Sequence, residues 1–200
     1  MIEFLNISHK YDKKIILNDF SFKLEKGEIV SLLGPSGCGK TTLLKLASGI
    51  EKLQKGEIKL NDKIVSSFNF HLNSDKRQIG YVFQDCALFP HLTIMENIFF
   101  SIKKNDIEKS SQKIQNLMDE IDISNLANNY PHELSGGQQQ QVALVRAMAS
   151  NPKIIFLDEP YSNLDSRLKE KIRDQMLHIL REHKISALLV THDPEEAMFM

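Results

Sequence analysis

The sequence contains little cysteine and no long apolar run. Its 200 residues include only two cysteines, Cys38 and Cys86, too few for a disulfide framework, which favours a reducing compartment. No apolar run approaches the ~18 residues that a membrane-spanning helix needs, so we do not expect the chain to form a channel by itself. The first residues, Met1–Asn6, show neither the basic nor the apolar region of a secretory signal. Together these absences predict a cytoplasmic protein.

The sequence also lacks an excess of charge of either sign. The formal net charge is -1, and lysines and arginines are spread along the chain, so we expect no nucleic acid as a partner. Hydrophobic residues make up 42% and charged residues 26%, as in ordinary globular proteins. A chain of this length can form one compact domain that buries about 70% of its unfolded surface.

The apolar pattern predicts a parallel α/β core. The run Ile29–Leu33 has the length and composition of a buried strand, and a helical segment, Lys40–Ser48, follows it. Two further apolar strands, Ile154–Leu157 and Ala187–Val190, flank a predicted helix over residues 166–183. Strand, loop, helix and later apolar strands are typical of parallel sheets covered by helices.

The remaining segments predict an antiparallel hairpin and a helical block. Residues 57–60, closed by Asn61 and Asp62, suit a hairpin on a β edge. Apolar side chains recur at helical spacing over residues 106–122. Residues 138–150 predict a second helix, which the following Asn151-Pro152 pair ends. We therefore expect one domain over residues 1–200, with a core of 1–84 and 151–200 and a helical insertion over about 85–150. The chain stops inside a predicted helix, which suggests a shortened sequence.

A glycine-rich loop follows the first strand of the core. Residues 34–41 match the phosphate-loop pattern G-x-x-x-x-G-K-[ST], so we expect a P-loop NTPase core. The glycines let backbone N–H groups converge on phosphate oxygens, and the helix adds the positive end of its dipole. The alternative is a glycine-rich surface turn before an ordinary helix. The residues predicted to hold ATP are Gly34, Pro35, Ser36, Gly37, Cys38, Gly39, Lys40, Thr41 and Thr42.

Within this loop, Lys40 is predicted to reach the β- and γ-phosphates, and the Thr41 hydroxyl to ligate Mg²⁺. The strand Ile154–Leu157 ends in two carboxylates, Asp158 and Glu159, at the sheet edge where open α/β sheets bind ligands. We predict that Asp158 holds Mg²⁺ and that Glu159 deprotonates the attacking water. A solvated acidic pair at a strand end is the alternative.

A second motif decides between families of phosphate-loop proteins. The run Leu134-Ser-Gly-Gly-Gln138 belongs, among these proteins, to the ATP-binding cassette (ABC) family. With both motifs the chain resembles that family over essentially its whole length. The resemblance implies an ATP-hydrolysing subunit that drives a separate membrane permease, on the inner face of the cell membrane, together with a substrate-binding protein. Three local sequences resemble those of importers of metals, anions, polyamines or thiamine: the sequences around Phe83-Gln84, Leu88–His91 and Leu134–Gln140. They do not identify the transported substrate.

The resemblance assigns further roles by position. Gln84 matches a glutamine that contacts Mg²⁺ or the attacking water, and His192 matches a histidine that senses the γ-phosphate. Tyr11 stands where relatives carry an aromatic residue stacked on adenine, and Asp165 belongs to a loop that crosses a subunit interface. The alternatives are a polar surface glutamine, a structural histidine and an exposed tyrosine on an edge strand.

The second motif also predicts a subunit pair. Ser135, Gly136, Gly137 and Gln138 fit a capping box, which any helix could use. Two glycines in a first turn nevertheless cost about 1 kcal/mol each relative to alanine, which makes sense if something approaches the backbone closely. A helix N-terminus binds anions. In the family, two copies pair head to tail, and these four residues contact the nucleotide of the other copy.

Two positions depart from the family pattern, and one segment suggests a contact with the permease. Relatives usually have Arg where this chain has Gln141, and Ala where it has Asn163. Residues 85–97 combine apolar groups with a proline, and in transporters this region receives a helix of the membrane subunit. Plain packing of the helical block is the alternative for that segment.

Two other functions remain open from the sequence. One is a soluble ABC-type ATPase of DNA repair or translation, although the long coiled coils or paired cassettes of such proteins are missing here. The other is a nucleotide-gated interaction module without hydrolysis, against which Lys40, Glu159 and His192 argue.

Overall fold

The computed structural model describes residues 1–102, 104–162 and 164–199. An antiparallel sheet contains β1 (Ile2–Tyr11), β2 (Lys14–Leu24), β4 (Lys55–Leu60), β5 (Lys63–Ser67) and β6 (Phe70–His71), in the order β2-β1-β4-β5-β6. A parallel sheet contains β3 (Ile29–Leu33), β7 (Ile79–Val82), β8 (Ile154–Asp158) and β9 (Ser186–Thr191), in the order β3-β9-β8-β7. The α-helices are α1 (Lys40–Ser48), α2 (Ile94–Phe99), α3 (Ile107–Glu120), α4 (Gly136–Ala149), α5 (Ser166–Glu182) and α6 (Pro194–Met198).

The parallel sheet forms the middle layer, and each face belongs to a different apolar core. One core joins Ile155, Leu157, Ala187 and Leu189 to side chains of α3, α4 and α5. The other joins Ile154, Phe156, Leu188 and Val190 to α1 and the antiparallel sheet. Successive side chains of a strand point to opposite faces, which is why β8 and β9 are buried along their whole length. The predicted α/β class is confirmed.

The antiparallel part is larger than an edge of the parallel sheet. It forms a five-stranded sheet of its own, because β1 pairs with both β2 and β4. The predicted hairpin is confirmed: β4 and β5 pair across Asn61 and Asp62, which adopt φ values of 48° and 63°. Positive φ at both positions suits a tight turn that matches the twist of the strands. Tyr11 ends β1, where pairing with β4 has already stopped at Ser8 and only β2 pairs with the strand, so both interpretations of this residue stay predictions.

The helical block packs onto the parallel sheet and shares a core with it. Its buried residues include Ile98 of α2, Leu117 of α3 and Leu144 of α4, in the same cluster as Ile155 and Leu157 of β8. The limits of this insertion, at about 85 and 150, remain a prediction. Among the described residues, none of the helices combines the length and apolar character needed to cross a bilayer.

Candidate active site

The phosphate loop links β3 to α1 as predicted, and its glycines are needed for geometric reasons. Gly37 and Gly39 adopt φ values of 79° and 103°, which L side chains disfavour. A Cβ on Gly39 would lie 2.9 Å from Ile16 Cγ2 and 3.0 Å from the Ile16 carbonyl oxygen. The antiparallel sheet therefore packs directly on the start of α1, which fixes the loop from one side.

Lys40 folds back over its own loop. Its ammonium donates to the carbonyl oxygens of Gly34, at 2.6 Å, and Pro35, at 3.0 Å. Both acceptors are neutral, whereas a phosphate oxygen is anionic and attracts the ammonium more strongly. The ammonium can thus exchange its carbonyl partners for an anion in the loop.

Thr41 and Asp158 meet beside the loop. The Thr41 hydroxyl donates to Asp158 Oδ1 at 2.8 Å, and the Tyr81 hydroxyl donates to Asp158 Oδ2 at 3.0 Å. Burial, followed by the Asp158 charge, raises the pKa of Tyr81, so Tyr81 remains a proton donor. Sequence reasoning missed Tyr81, because only the pairing of β7 with β8 brings it to the carboxylate.

These oxygens fit Mg²⁺ in the manner of phosphate-binding sites. A hydroxyl and a carboxylate are hard oxygen ligands, and Mg²⁺ commonly takes one or two carboxylates with water and substrate phosphates. In the described part of the chain, no cluster of three or more His, Cys, Asp or Glu side chains could enclose a metal ion.

Glu159 and His192 form a pair at the ends of adjacent strands. Glu159 directly follows β8, with a φ of 45°, and its N–H donates to the Val190 carbonyl oxygen of β9 at 3.0 Å. His192 directly follows β9, and its Nδ1 lies 3.0 Å from Glu159 Oε2. In the tautomer that carries its proton on Nδ1, the His192 ring donates to this carboxylate. The two predicted catalytic side chains are thus brought together.

Gln84 reaches the same region through Ser162. Gln84 Nε2 donates to Ser162 Oγ at 3.3 Å, and Ser162 Oγ donates to the Glu159 carbonyl oxygen at 3.0 Å. The segment after β7 is therefore tied to the segment after β8. Gln84, Glu159 and His192 occupy one edge of the parallel sheet, where the carboxyl ends of its strands meet.

An ion cluster fixes the segment that carries His192. Lys169 of α5 contacts the Asp193 carboxylate and lies 2.7 Å from Glu196 Oε1, while the Thr191 hydroxyl donates to Glu196. The hydrogen bond from Lys169 lowers the pKa of Asp193. The sequence carried no signal for this cluster, because Lys169 is separated from its partners by a whole strand.

Tyr11 lies near the loop but already has partners. It is 42% exposed, its hydroxyl donates to the Glu51 carboxylate and also contacts Thr42, and its ring meets His9 edge-on at 5.0 Å. Desolvation, then the bond to Glu51, raises the pKa of Tyr11. Thr42, the last residue of the predicted nucleotide loop, is itself buried.

The start of α4 has the predicted capping box. Ser135 Oγ accepts from the Gln138 N–H at 3.3 Å, and Gln138 Oε1 accepts from the Ser135 N–H at 2.9 Å. Gly136 is exposed, whereas Gly137 is buried. A Cβ on Gly137 would lie 2.7 Å from Leu168 Cδ2. The argument from two open glycines is thereby corrected: Gly137 makes room for Leu168 of the same chain, and Gly136 alone is exposed.

Comparison with known proteins places the chain in a family. A family model described as "ABC transporter" matches residues 17–162. The chain belongs to the ABC transporter family. A protein named Fe(3+) ions import ATP-binding protein FbpC 2, from Haemophilus influenzae, is 45% identical over 195 residues, which are 96% of this chain and 55% of that protein.

A second relative and a solved structure agree with this assignment. A spermidine/putrescine import ATP-binding protein PotA from Hahella chejuensis is 39% identical over 197 residues, 98% of this chain and 53% of its own length. The chain thus spans little more than half the length of these two relatives. The dimeric, post-hydrolysis structure of the ATP-binding cassette MJ0796, bound to ADP and Pi, superposes with a TM-score of 0.79 at 34% identity, covering 100% of this chain and 91% of that one.

In this member of the ABC family, Gln141 forms hydrogen bonds with α3 and α5. Gln141 Nε2 donates to the Ile121 carbonyl oxygen and to Gln175 Oε1, both at 3.0 Å. It thereby joins α4 to the end of α3 and to α5, beside a cavity of about 230 Å³.

The loop before α5 is described in part. Asp165 Oδ1 accepts from the Leu168 N–H at 3.0 Å and caps α5. This bond gives Asp165 a structural task in the ABC chain besides the predicted contact with a second copy. The departure at Asn163 lies outside the described residues.

Proposed function

We propose that this chain binds and hydrolyses ATP as the nucleotide-binding part of an ABC importer. The observation that carries the proposal is the meeting of Thr41 with Asp158 and of Glu159 with His192, beside a complete phosphate loop. The names of relatives as import ATP-binding proteins for Fe(3+) ions and for spermidine/putrescine support the transport role.

The binding step starts from the folded Lys40. The triphosphate of ATP displaces Gly34 and Pro35 as partners of the ammonium, while N–H groups of the loop and the start of α1 take the remaining oxygens. Mg²⁺, held by Thr41 and Asp158 with Gln84 nearby, would neutralise phosphate charge. Tyr11 would give up exposed surface to stack on adenine.

The hydrolytic step assigns the proton to Glu159. Its carboxylate takes a proton from the attacking water, and the bond from His192 Nδ1 keeps the carboxylate in one orientation. When Nδ1 carries the proton of a neutral ring, Nε2 is an acceptor, and protonation of the ring makes it a second donor toward phosphate. General-base action contributes about 10²–10⁴-fold to such reactions.

The active unit is proposed to be a head-to-tail pair of two copies of this chain. Ser135 and Gly136 are exposed at the start of α4, where free N–H groups favour an anion. The phosphate loop of the same chain already provides one nucleotide site. The anion bound at the start of α4 would therefore be the nucleotide of the second copy. The related cassette MJ0796 is described as dimeric with ADP and Pi, which supports this arrangement.

The permease is proposed to dock on a groove next to Gln84. The groove has a volume of about 390 Å³, and Phe83, Phe89, Phe100 and Arg146 are among the residues that line it. Phe100 is 63% exposed and packs on Phe89, so the two rings present apolar surface in the groove. Docking there would hold the chain on the inner face of the membrane, and a substrate-binding protein would deliver the cargo.

Replacement of the proposed base tests the hydrolytic role. The Glu159→Gln variant keeps a similar shape but cannot accept the proton, so we expect ATP turnover to fall by at least about 10²-fold while ATP binding persists. Phosphate release measures turnover, and size-exclusion chromatography with ATP should show a trapped dimer.

A matched control is Glu195→Gln, an exposed glutamate of α6 outside the pair. It should leave turnover within about twofold of the parent, as expected for a surface substitution. Rapid hydrolysis by the Glu159→Gln variant would contradict the assignment of the base. Reconstitution with a permease encoded beside this chain would separate an importer from a soluble ATPase.

A further inference from the structure

Two consecutive residues after Gln84 adopt a conformation that L residues disfavour. Cys86 and Ala87 have φ values of 59° and 44°, both in the left-handed region, although neither is glycine. Such a pair persists only where the surroundings hold it. The segment lies between Gln84, at the site, and Phe89, in the groove proposed for the permease.

Arg146 of α4 holds both residues by their backbone. Its Nη1 donates to the Ala87 carbonyl oxygen and its Nη2 donates to the Cys86 carbonyl oxygen, each at 2.6 Å. Among the described residues, the guanidinium forms no salt bridge with a carboxylate. Desolvation lowers the pKa of Arg146. Its planar fork therefore serves the two carbonyl groups.

Gln140, on the same helix, provides a second attachment. The Cys86 thiol donates to Gln140 Oε1 at 2.9 Å, and both side chains are buried. Burial raises the pKa of Cys86 to about 11, so the thiol keeps its proton at neutral pH and can donate. The segment is thus fixed through a side chain as well as through two carbonyl groups.

The same guanidinium contacts the groove. Arg146 lies 6.0 Å from the centre of the Phe89 ring, which in turn packs on Phe100 with 4.3 Å between ring centres. A group pressed against Phe89 would therefore meet the guanidinium that holds Cys86 and Ala87.

We propose that Arg146 is a positioning residue for Gln84: it fixes the left-handed pair Cys86–Ala87 and so sets where Gln84 lies relative to Glu159 and Ser162. This inference rests on the proposed function. Because Arg146 and Ser135 belong to one helix, the start of α4 that faces the second copy is rigidly connected to Gln84 of its own site. The alternative is that Arg146 only stabilises the packing of α4.

The Arg146→Lys variant tests the inference. Lysine keeps the charge but cannot donate to two carbonyl groups through a planar fork. In the nucleotide-free protein, hydrogen exchange of the backbone amides of residues 84–88 should accelerate by about tenfold, the size of one lost charged hydrogen bond. With Mg·ATP, kcat should fall by about tenfold while the Kd for a nonhydrolysable ATP analogue stays within about twofold.

The matched control is Arg173→Lys on α5. The Arg173 guanidinium also stacks on a phenylalanine, Phe199, at 4.0 Å, but its hydrogen bonds go to Asp174. This variant should change neither the exchange at residues 84–88 nor kcat. A third variant, Cys86→Ala, removes the attachment to Gln140 without touching the guanidinium, and it should accelerate the same amides to a smaller degree. Arg146→Gln, which also lacks the planar fork of the guanidinium, carries the test if Arg146→Lys does not fold.

The outcomes separate the inference from the proposed function. Unchanged exchange at residues 84–88 in Arg146→Lys, or in Arg146→Gln if only that variant folds, overturns the inference. Faster exchange with unchanged kcat shows a merely structural role and also overturns it. If the parent protein does not hydrolyse ATP, the proposed function fails, and the exchange experiment still decides whether Arg146 fixes the segment.

Discussion

At the scale of single residues, the two thiols differ in their exposure to solvent. Cys38 is exposed in the phosphate loop, whereas Cys86 is buried, bonded to Gln140 and has a pKa of about 11. A thiolate is the reactive form, and burial also blocks access. At pH 8 Cys86 is therefore both protonated and shielded.

We expect a maleimide to label one thiol per folded chain at pH 8 and two after denaturation. Mass spectrometry of peptides should place the single label on Cys38, and the Cys38→Ser variant should remain unlabelled while folded. Rapid labelling of Cys86 in the folded variant would contradict the buried contact with Gln140.

Residue by residue, sequence reasoning reached the groups at motif positions and missed those that act through tertiary contacts. The pair Asp158–Glu159 was predictable, because a carboxylate pair after an apolar strand reaches the binding edge of a parallel sheet. Tyr81, Lys169 and Arg146 were not, since each meets its partner only through strand pairing or helix packing. No spacing along the chain encodes such contacts.

At the scale of elements, the start of α4 separates two glycines that look equivalent in the sequence. Gly137 is buried against Leu168 of α5, whereas Gly136 is exposed at the first turn. Strand and helix positions were largely predictable from apolar periodicity and capping residues. The close approach of α4 and α5 was not, because periodicity does not say which helices touch.

We expect Gly137→Ala to lower the free energy of unfolding by about 1–3 kcal/mol, because its Cβ overlaps Leu168 in a packed contact. Gly136→Ala, in contrast, should leave stability unchanged or raise it by up to about 1 kcal/mol, because alanine is the better helix former. Urea denaturation of both variants measures the difference. Equal stabilities would contradict the packing of α4 on α5.

At the scale of the whole molecule, the head-to-tail pair predicts complementation between two defective variants. Lys40→Ala damages the phosphate loop, and Ser135→Arg blocks the start of α4. In a mixed pair both defects fall on one site, so the other site combines an intact loop with an intact helix start. In the Glu159→Gln background, an equimolar mixture with ATP should form dimers that retain one nucleotide.

Each variant alone provides the control for that mixture, since neither can build an intact site and both should remain monomeric with ATP. Size-exclusion chromatography with nucleotide quantification distinguishes the cases. A mixture that behaves like its separate components would argue against a site shared between two chains.

The whole fold was predictable in class, because the two motifs and the buried strands define it, but the antiparallel sheet was underestimated. The sequence of β2 and β5 alternates weakly, and both strands keep many exposed side chains. A strand half open to water loses the clear apolar signal that marked β8 and β9.

Neighbouring residues of β8, in the middle of the central sheet, belong to different apolar cores. Phe156 packs in the core shared with α1 and the antiparallel strands. Leu157, the next residue, packs in the core shared with α4, the helix that begins at the second motif. The parallel sheet, a single layer, thus separates the side proposed to bind the nucleotide from the side proposed to contact the permease. We expect any movement transmitted between these two sides to pass through the segments that follow β7, β8 and β9.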